Sequence, residues 1–367
     1  LSIIMTHKER VIRALNHEET DRPPFQATFT PEFADRLRAE FHLPPMFTEP
    51  HHRTWYGYDL EILTGQDALQ AGAGWVTNYY LKPEAYTDEW GVEWKIDPYT
   101  TPFGVGHYTN IAHNPLRDND EAAMAYKAPD PTRPELYAHL ERLVREYGQE
   151  YYIIGRVHGT IFETAWALRG LDTLMTDFYL NPELTNHLLD ETYLYHKEVV
   201  CQMVRRGVDM IWLGDDMGAQ ASLLIDPDLW REYFKPRMAD IIRTAKAMNP
   251  QVKIAYHTDG CNYDIIPELI EIGLDVLNPI QTECMDPEIL QEKYGDQLCF
   301  FGGVAVQSTL PQGTAEEIRR EYQWLKNSIG KNGGWICAPT HHVQLDTPME
   351  NFFTLLETIG IEDKRKK

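Results

Sequence analysis

The chain lacks several features, and each absence removes a class of protein. No apolar run approaches the roughly 20 residues that a membrane-spanning helix needs, and the brief Leu1–Met5 stretch is too short for a signal-peptide core. Positive charge is scarce: 34 Lys and Arg against 56 Asp and Glu leave a formal net charge of −22. That balance argues against nucleic acid or an anionic membrane as the main partner. There are only five cysteines, Cys201, Cys261, Cys284, Cys299 and Cys337, an odd number with no framework spacing. With no signal segment beside them, they fit free thiols in a reducing cytoplasm better than disulfides. No Cys-x-x-Cys and no His-Glu-x-x-His is found, so neither common zinc signature applies. No glycine-rich dinucleotide fingerprint follows the first apolar run, which disfavours an open doubly wound nucleotide-binding sheet.

What is present is a repeated alternation of short apolar runs with helix-length amphipathic segments. Runs at Pro23–Phe29, Tyr151–Val157, Asp209–Leu213, Val252–Tyr256, Asp275–Asn278, Leu298–Phe301 and Gly334–Ala338 read as strands. An eighth is expected between Tyr58 and Gly74, where Gly and Asp blur the pattern. Asp226, Asp264 and Asp286, each near a proline, read as helix caps. Thr314-Ala-Glu-Glu reads as a capping box. Strand and helix repeated this often predict a parallel sheet, and eight strands predict a closed (β/α)8 TIM barrel. The 367 residues are read as one α/β domain, 1–367. Within it, 75–130 is an irregular capping insertion rich in aromatics: Trp75, Tyr79, Tyr80, Trp90, Trp94, Tyr99 and Phe103. Thr87 to Lys95 predicts a hairpin turning near Gly91, and the aromatics suit a lid over a flat or hydrophobic substrate, or simply a core.

Barrel enzymes place their chemistry at the carboxyl ends of strands, so the polar residues that follow each run are the candidates. His257, Asp259 and Cys261 follow one strand; Cys337, His341, His342 and Asp346 follow another. Imidazole, carboxylate and thiolate all bind zinc, and a catalytic ion needs three protein ligands and an open position. The spacing equally allows a hydrogen-bonded His257 and two cysteines that only fill apolar space. Asp215 and Asp216 are adjacent carboxylates at a strand end, suited to acid/base work, to orienting substrate or to capping a loop. Arg156 and His158 share one strand face, with Glu163 just beyond, and Gln220 and His342 complete the expected substrate-binding set. Gly302-Gly303 reads as either an anion loop or a tight turn.

These segments, taken together, resemble the uroporphyrinogen decarboxylase-like superfamily. The resemblance runs from Thr6-His-Lys-Glu-Arg-Val-Ile-Arg-Ala-Leu through Leu168-Arg-Gly-Leu-Asp, Gly214-Asp-Asp-Met-Gly, His257-Thr-Asp-Gly, Leu277-Asn-Pro-Ile-Gln and Phe301-Gly-Gly-Val to Ala338-Pro-Thr-His-His-Val-Gln-Leu-Asp-Thr-Pro. It implies a TIM barrel with a deep pocket and a homodimer. The superfamily holds both decarboxylases and cobamide-dependent methyltransferases. Uroporphyrinogen decarboxylases carry a Met-Arg-Gln-Ala-Gly-Arg-type motif whose arginines bind porphyrinogen carboxylates. Here that stretch is Phe25-Gln-Ala-Thr-Phe-Thr-Pro-Glu-Phe, without arginine. The methyltransferase branch holds zinc with a His-x-Cys pair and a later Cys. Here His257 matches the histidine, Asp259 replaces the first cysteine and His341 falls near the last. The resemblance therefore implies a methyltransferase or demethylase for a small methylated compound. Zinc would be held by His257, Asp259 and His341, Asp215 and Asp216 would be catalytic, and the corrinoid would be carried by a partner protein. The alternatives are a decarboxylase, of uroporphyrinogen or of a smaller acid, and a barrel that only binds a corrinoid or tetrapyrrole.

Overall fold

Short, mostly buried apolar runs form a seven-stranded parallel sheet. The computed structural model describes residues 5–46, 57–73 and 85–366; Trp75, Tyr79 and Tyr80 lie outside them. The barrel strands are β1 (Ala68–Gly72), β5 (Tyr152–Val157), β6 (Met210–Gly214), β7 (Lys253–His257), β8 (Val276–Asn278), β9 (Cys299–Val304) and β10 (Trp335–Pro339), paired in that order. β1 is the strand expected between Tyr58 and Gly74. The Pro23–Phe29 run makes isolated bridges rather than a full strand, but it occupies the closing position. Gln26 N–H donates to Cys337 O at 3.1 Å, Cys337 N–H to Pro24 O at 2.8 Å, and Asp67 N–H to Phe25 O at 2.8 Å. The architecture is the expected TIM-barrel type.

Alternation along each strand divides the core in two. Ile154, Met210, Trp212, Ala255, Val276, Phe301, Ile336 and Ala338 point inward and pack together, and Val11 and Leu15 of the helix His7–Leu15 join them. The residues between them face the surrounding helices in a larger outer core. Asp226 and Asp286 cap helices as expected, and Thr314 with Glu317 forms the capping box. The helix Ile266–Glu271 starts from Ile265 rather than from Asp264.

The amino end of the barrel is tied by Asp67, whose side chain is fully buried. It accepts from Arg10 at 2.6 Å, Arg22 at 2.7 Å, His7 at 2.8 Å and the Phe25 amide at 2.8 Å. Burial alone would raise its pKa. The His7 hydrogen bond and the Arg22 and Arg10 charges outweigh burial and hold it below its ordinary 3.8. Asp67→Asn leaves two guanidinium groups short of their counter-charge and should cost about 3–5 kcal/mol, measurable by urea unfolding. Because the native pKa is depressed, this contribution is complete above pH 3.8 and is lost as pH falls through the lower native value.

The insertion carries its own antiparallel sheet of β2 (Tyr86–Thr87), β3 (Glu93–Thr101) and β4 (Gly104–His113). The expected turn at Gly91 is present, organised by Asp88, which accepts from the Trp90 and Val92 amides and from Trp94 Nε1. β4 was not foreseen; both its faces are largely exposed, so it shows no apolar alternation. Trp90 stacks on His196 and meets Tyr195 edge-on, which fixes the insertion to the long helix Pro182–Arg205. Among the described residues no helix is long and apolar enough to cross a membrane.

Candidate metal centre and adjoining cleft

β6 and β7 run side by side, pairing Gly214 with His257 at their carboxyl ends. The loops that follow pack backbone to backbone. Gly260 has φ +81°, and a Cβ there would lie 2.5 Å from Ala219 O, so only glycine permits this approach. Asn262 donates to Thr258 O, Asp259 O and Gly260 O and pins the second loop. Asp216 Oδ1 accepts from Asp259 N–H at 3.1 Å and links the two.

This scaffold brings Asp216, His257 and Asp259 together, with one ligating atom from each lying within 4.8 Å of the others. His257 Nε2 is 3.6 Å from Asp259 Oδ1 and 3.8 Å from Asp216 Oδ1. These separations are too long for hydrogen bonds and short enough for all three groups to contact one ion. The other ring nitrogen sets the tautomer. Asn278 Nδ2 donates to Phe301 O at 2.8 Å, which turns Asn278 Oδ1 toward His257 Nδ1 at 2.6 Å. Nδ1 therefore carries a proton, and Nε2 is the ring atom that faces the two carboxylates. Three electron-pair donors converging in this way fit a cation. Burial, the largest influence, raises the Asp259 pKa to about 6. Asn278→Ala should weaken zinc binding about 10–100-fold by releasing the imidazole, as read by competition with a chromogenic chelator.

Asp216 thus takes the third position in this cluster that His341 was expected to hold. The His341 ring centroid is 6.4 Å from that of His257, across the mouth. Burial, with the charges of His257 and Arg156, lowers the His341 pKa to about 4. His342 lies edge-on to His341 at 4.8 Å, and burial pushes its pKa well down. His158 stacks over Trp212 and is likewise held neutral by burial and by Arg156. The Arg156 guanidinium lies 4.6 Å above the Trp212 ring, and Trp212 in turn packs against His257 at 4.7 Å. The mouth therefore has an acidic side and a side of one cation among neutral imidazoles.

Asp215 points the other way. It is wholly buried, and its carboxylate accepts from the Ile161 and Glu163 amides, where it anchors the start of the helix Phe162–Arg169. Burial raises its pKa to about 7 against these hydrogen bonds. Gln220 sits on an exposed turn and is not drawn into the cluster. Cys337 packs in the outer core, where burial raises its thiol pKa strongly. Cys261 lies beyond Asp259 and outside the cluster. Gly302 and Gly303 form neither the anion loop nor the tight turn: both lie within β9, where a Cβ on Gly302 would lie 1.7 Å from Pro279 O and Gly303 N–H donates to that oxygen.

Glu163 is a further buried acid at this end of the barrel. Burial, reinforced by the charges of Asp216, Asp215 and Asp259, raises its pKa well above 4.5, and its Oε2 is buried without a hydrogen-bond partner. It lines a cleft between the helix Phe162–Arg169 and the insertion sheet. Tyr108 of β4 is close enough for Asp216 and Asp259 to raise its pKa beyond the effect of burial, so the insertion overhangs the cluster. Asn278, Trp212 and Tyr108 had not been singled out from the sequence.

Residues 104–360 match the family model described as uroporphyrinogen decarboxylase (URO-D). Curated relatives include uroporphyrinogen decarboxylase from Chlorobium luteolum, 25% identical over 190 residues, covering 51% of this chain and 52% of that protein. Another, from Salinibacter ruber, is 24% identical over 165 residues, covering 45% and 42%. The chain thus spans about half the length of the curated relatives it matches. Among solved structures, a methyltransferase from Methanosarcina mazei superposes with a TM-score of 0.72 at 20% identity, covering 97% of this chain and 99% of that one. That likeness is one of fold.

Proposed function

The chain belongs to the uroporphyrinogen decarboxylase family, a family of enzymes, and from that premise we propose that it is a methyltransferase. It would take a methyl group from a small methylated compound and pass it to the corrinoid of a separate protein, or run the reverse transfer. The observation that carries this reading is the convergence of His257 Nε2, Asp216 and Asp259 at the barrel mouth. Asp216, His257 and Asp259 would hold a divalent ion, zinc in the first instance. When bound, it supplies Lewis acidity toward the donor heteroatom. With two oxygen ligands and one nitrogen, the set is harder than a thiolate site, which suits oxygen or nitrogen donors rather than thiol activation.

The side chains supply the rest. The bond from heteroatom to methyl breaks, the heteroatom keeps the electron pair, and the methyl carbon bonds to the reduced cobalt of the corrinoid. Glu163, held protonated by burial and neighbouring acids, gives its proton to the departing heteroatom. His341 and His342, neutral across the mouth, accept hydrogen bonds from polar substituents, and Arg156 orients an electron-rich group. The insertion sheet with Tyr108 limits access of water. The methyltransferase identity of the Methanosarcina fold relative is consistent with this reading.

A second reading, decarboxylation of a smaller acid, is favoured by Arg156, which could bind a carboxylate while Glu163 protonates the carbanion. Uroporphyrinogen itself is less well supported, because an octa-acid would meet a mouth lined by Asp216, Asp259 and Glu163. The test is an assay with zinc-loaded protein, reduced cobalamin and a panel of O- and N-methyl donors. Loss of the reduced-corrinoid absorbance, absent in Asp216→Asn, is the expected result. Carbon dioxide release from a carboxylic acid, without methyl transfer from any donor, would replace this reading with the second.

A further inference from the structure

The metal cluster draws its ligands from two loops, so its geometry depends on what fixes the spacing of those loops. Thr258 lies in sequence between two of the three ligands, His257 and Asp259. Its side chain is fully buried and turns into the seam between the loops. The hydroxyl accepts Met217 N–H at 3.0 Å and donates to Asn262 Oδ1 at 3.0 Å. Met217 is the residue after Asp216, the third member of the cluster. The Thr258 amide donates to Asn278 O at 3.0 Å, on the residue whose side chain orients His257. Thr258 thus contacts every segment that carries or orients a ligand and supplies no ligand itself. We propose that Thr258 is a positioning residue of the metal centre, its hydroxyl fixing the separation between the Asp216 loop and the Asp259 loop. This role rests on the reading of the cluster as a metal site and not on methyl transfer.

A hydroxyl has one proton. Given to Asn262 Oδ1, it leaves lone pairs for Met217 N–H, so each partner uses a different capacity of the same oxygen. Asn262 is equally buried, and its amide nitrogen serves Thr258 O, Asp259 O and Gly260 O within one turn. The hydroxyl therefore joins a pinned turn on one side to the backbone beside Asp216 on the other. The loops are in close contact there: a Cβ on Gly218 would lie 2.3 Å from Asp259 O and 2.9 Å from Asn262 Oδ1. On the mouth side the loops are linked by Asp259 N–H, which donates to Asp216 Oδ1 at 3.1 Å. That oxygen is also the Asp216 atom nearest His257 Nε2, so a bound ion competes for it. The Thr258 hydroxyl holds the loops from behind, with atoms outside the ligand set. Without it, Met217 N–H and Asn262 Oδ1 are buried and unmatched, and they regain partners only if the loops shift. Coordination distances tolerate only about 0.2 Å, so the loss falls on ion affinity.

Zinc binding to the full chain, read by competition with a chromogenic chelator, tests this in Thr258→Val, Thr258→Ser and Thr64→Val. Valine keeps the shape and removes the hydroxyl; it should weaken zinc binding about 10–100-fold. Serine keeps the hydroxyl and should bind zinc as the native chain does. Thr64 is a matched control just before β1, at the opposite end of the barrel. It is fully buried, donates to Leu60 O at 2.7 Å and accepts from Gln66 Nε2 at 3.4 Å. Thr64→Val should lose stability and keep the native zinc affinity. The visible spectrum of bound cobalt(II), which reports ligand geometry, should change in Thr258→Val and in neither of the others. Should circular dichroism show Thr258→Val misfolded, Thr258→Ala takes its place with the same expected loss. Native zinc affinity with a native cobalt spectrum in the folded variant, an equal loss in Thr64→Val, or no rescue by serine would each overturn the assignment. A native chain that binds no zinc refutes the metal reading and this role with it. Native binding that is indifferent to Thr258→Val refutes this role alone.

Discussion

His257→Ala should lose zinc binding and lower kcat/KM by roughly 10³-fold, about 4 kcal/mol of transition-state stabilisation, while the barrel stays folded. The asymmetry follows from position. His257 is the last residue of β7, and its ring contacts the mouth rather than the outer core. Its removal leaves Asn278 Oδ1 without its histidine partner, which should cost about 1–3 kcal/mol against a barrel core that is otherwise untouched. It also leaves Asp216 and Asp259 with no nitrogen ligand between them. Thermal unfolding and metal content, measured on the same preparation, separate the two effects. A variant that unfolds would make His257 a structural histidine.

Glu163→Gln has the second large expected effect, about 10²–10⁴-fold on kcat. The loss should depend on the leaving group: large for a donor whose heteroatom needs a proton, small for an activated donor that departs as a stable anion. The sign of the pH dependence follows from the raised pKa. Glu163 is protonated below its native pKa, so the rate holds at low pH and falls as pH rises through that value. The glutamine variant should lose this descending limb. A uniform loss with every donor and an unchanged pH profile would assign Glu163 to packing.

Strand parity explains both what the sequence made legible and what it did not. The apolar runs are recognisable because parallel strands buried on both faces carry few polar residues. β1 was hard to place because Gln70 interrupts a five-residue run bounded by Asp67 and Gly72. Parity also organises the site. Ala255 points inward, so His257 does too, and carrying the alternation two residues further predicts the inward side for Asp259. The same count from Trp212 through Gly214 selects Asp216, and it sends Asp215 outward to the helix start that it caps. Adjacent carboxylates look equivalent in sequence, and only the period of two tells them apart. Asp216, expected as a catalytic group, thus lies in the cluster itself.

Parity stops where the backbone leaves the sheet. His341 and His342 follow Pro339 in an irregular loop, so no count from β10 could say how near either comes to His257. Gln220 is in the same position, on a turn beyond β6. The burial of Glu163 in the cleft depends on contacts between the insertion and a helix some 70 residues away in sequence, as the separation of Trp90 from Glu163 shows. Local pattern does not encode such contacts. β4 escaped for a simpler reason: a strand exposed on both faces has no apolar stripe to betray it.

Zinc titration by calorimetry, comparing the native chain with the Asp216→Asn/Asp259→Asn double variant, tests the central claim most directly. The account predicts one ion per native chain, and none in the variant at the same concentrations. A native chain that binds no zinc, or a variant that binds it with the same stoichiometry and affinity, would contradict it.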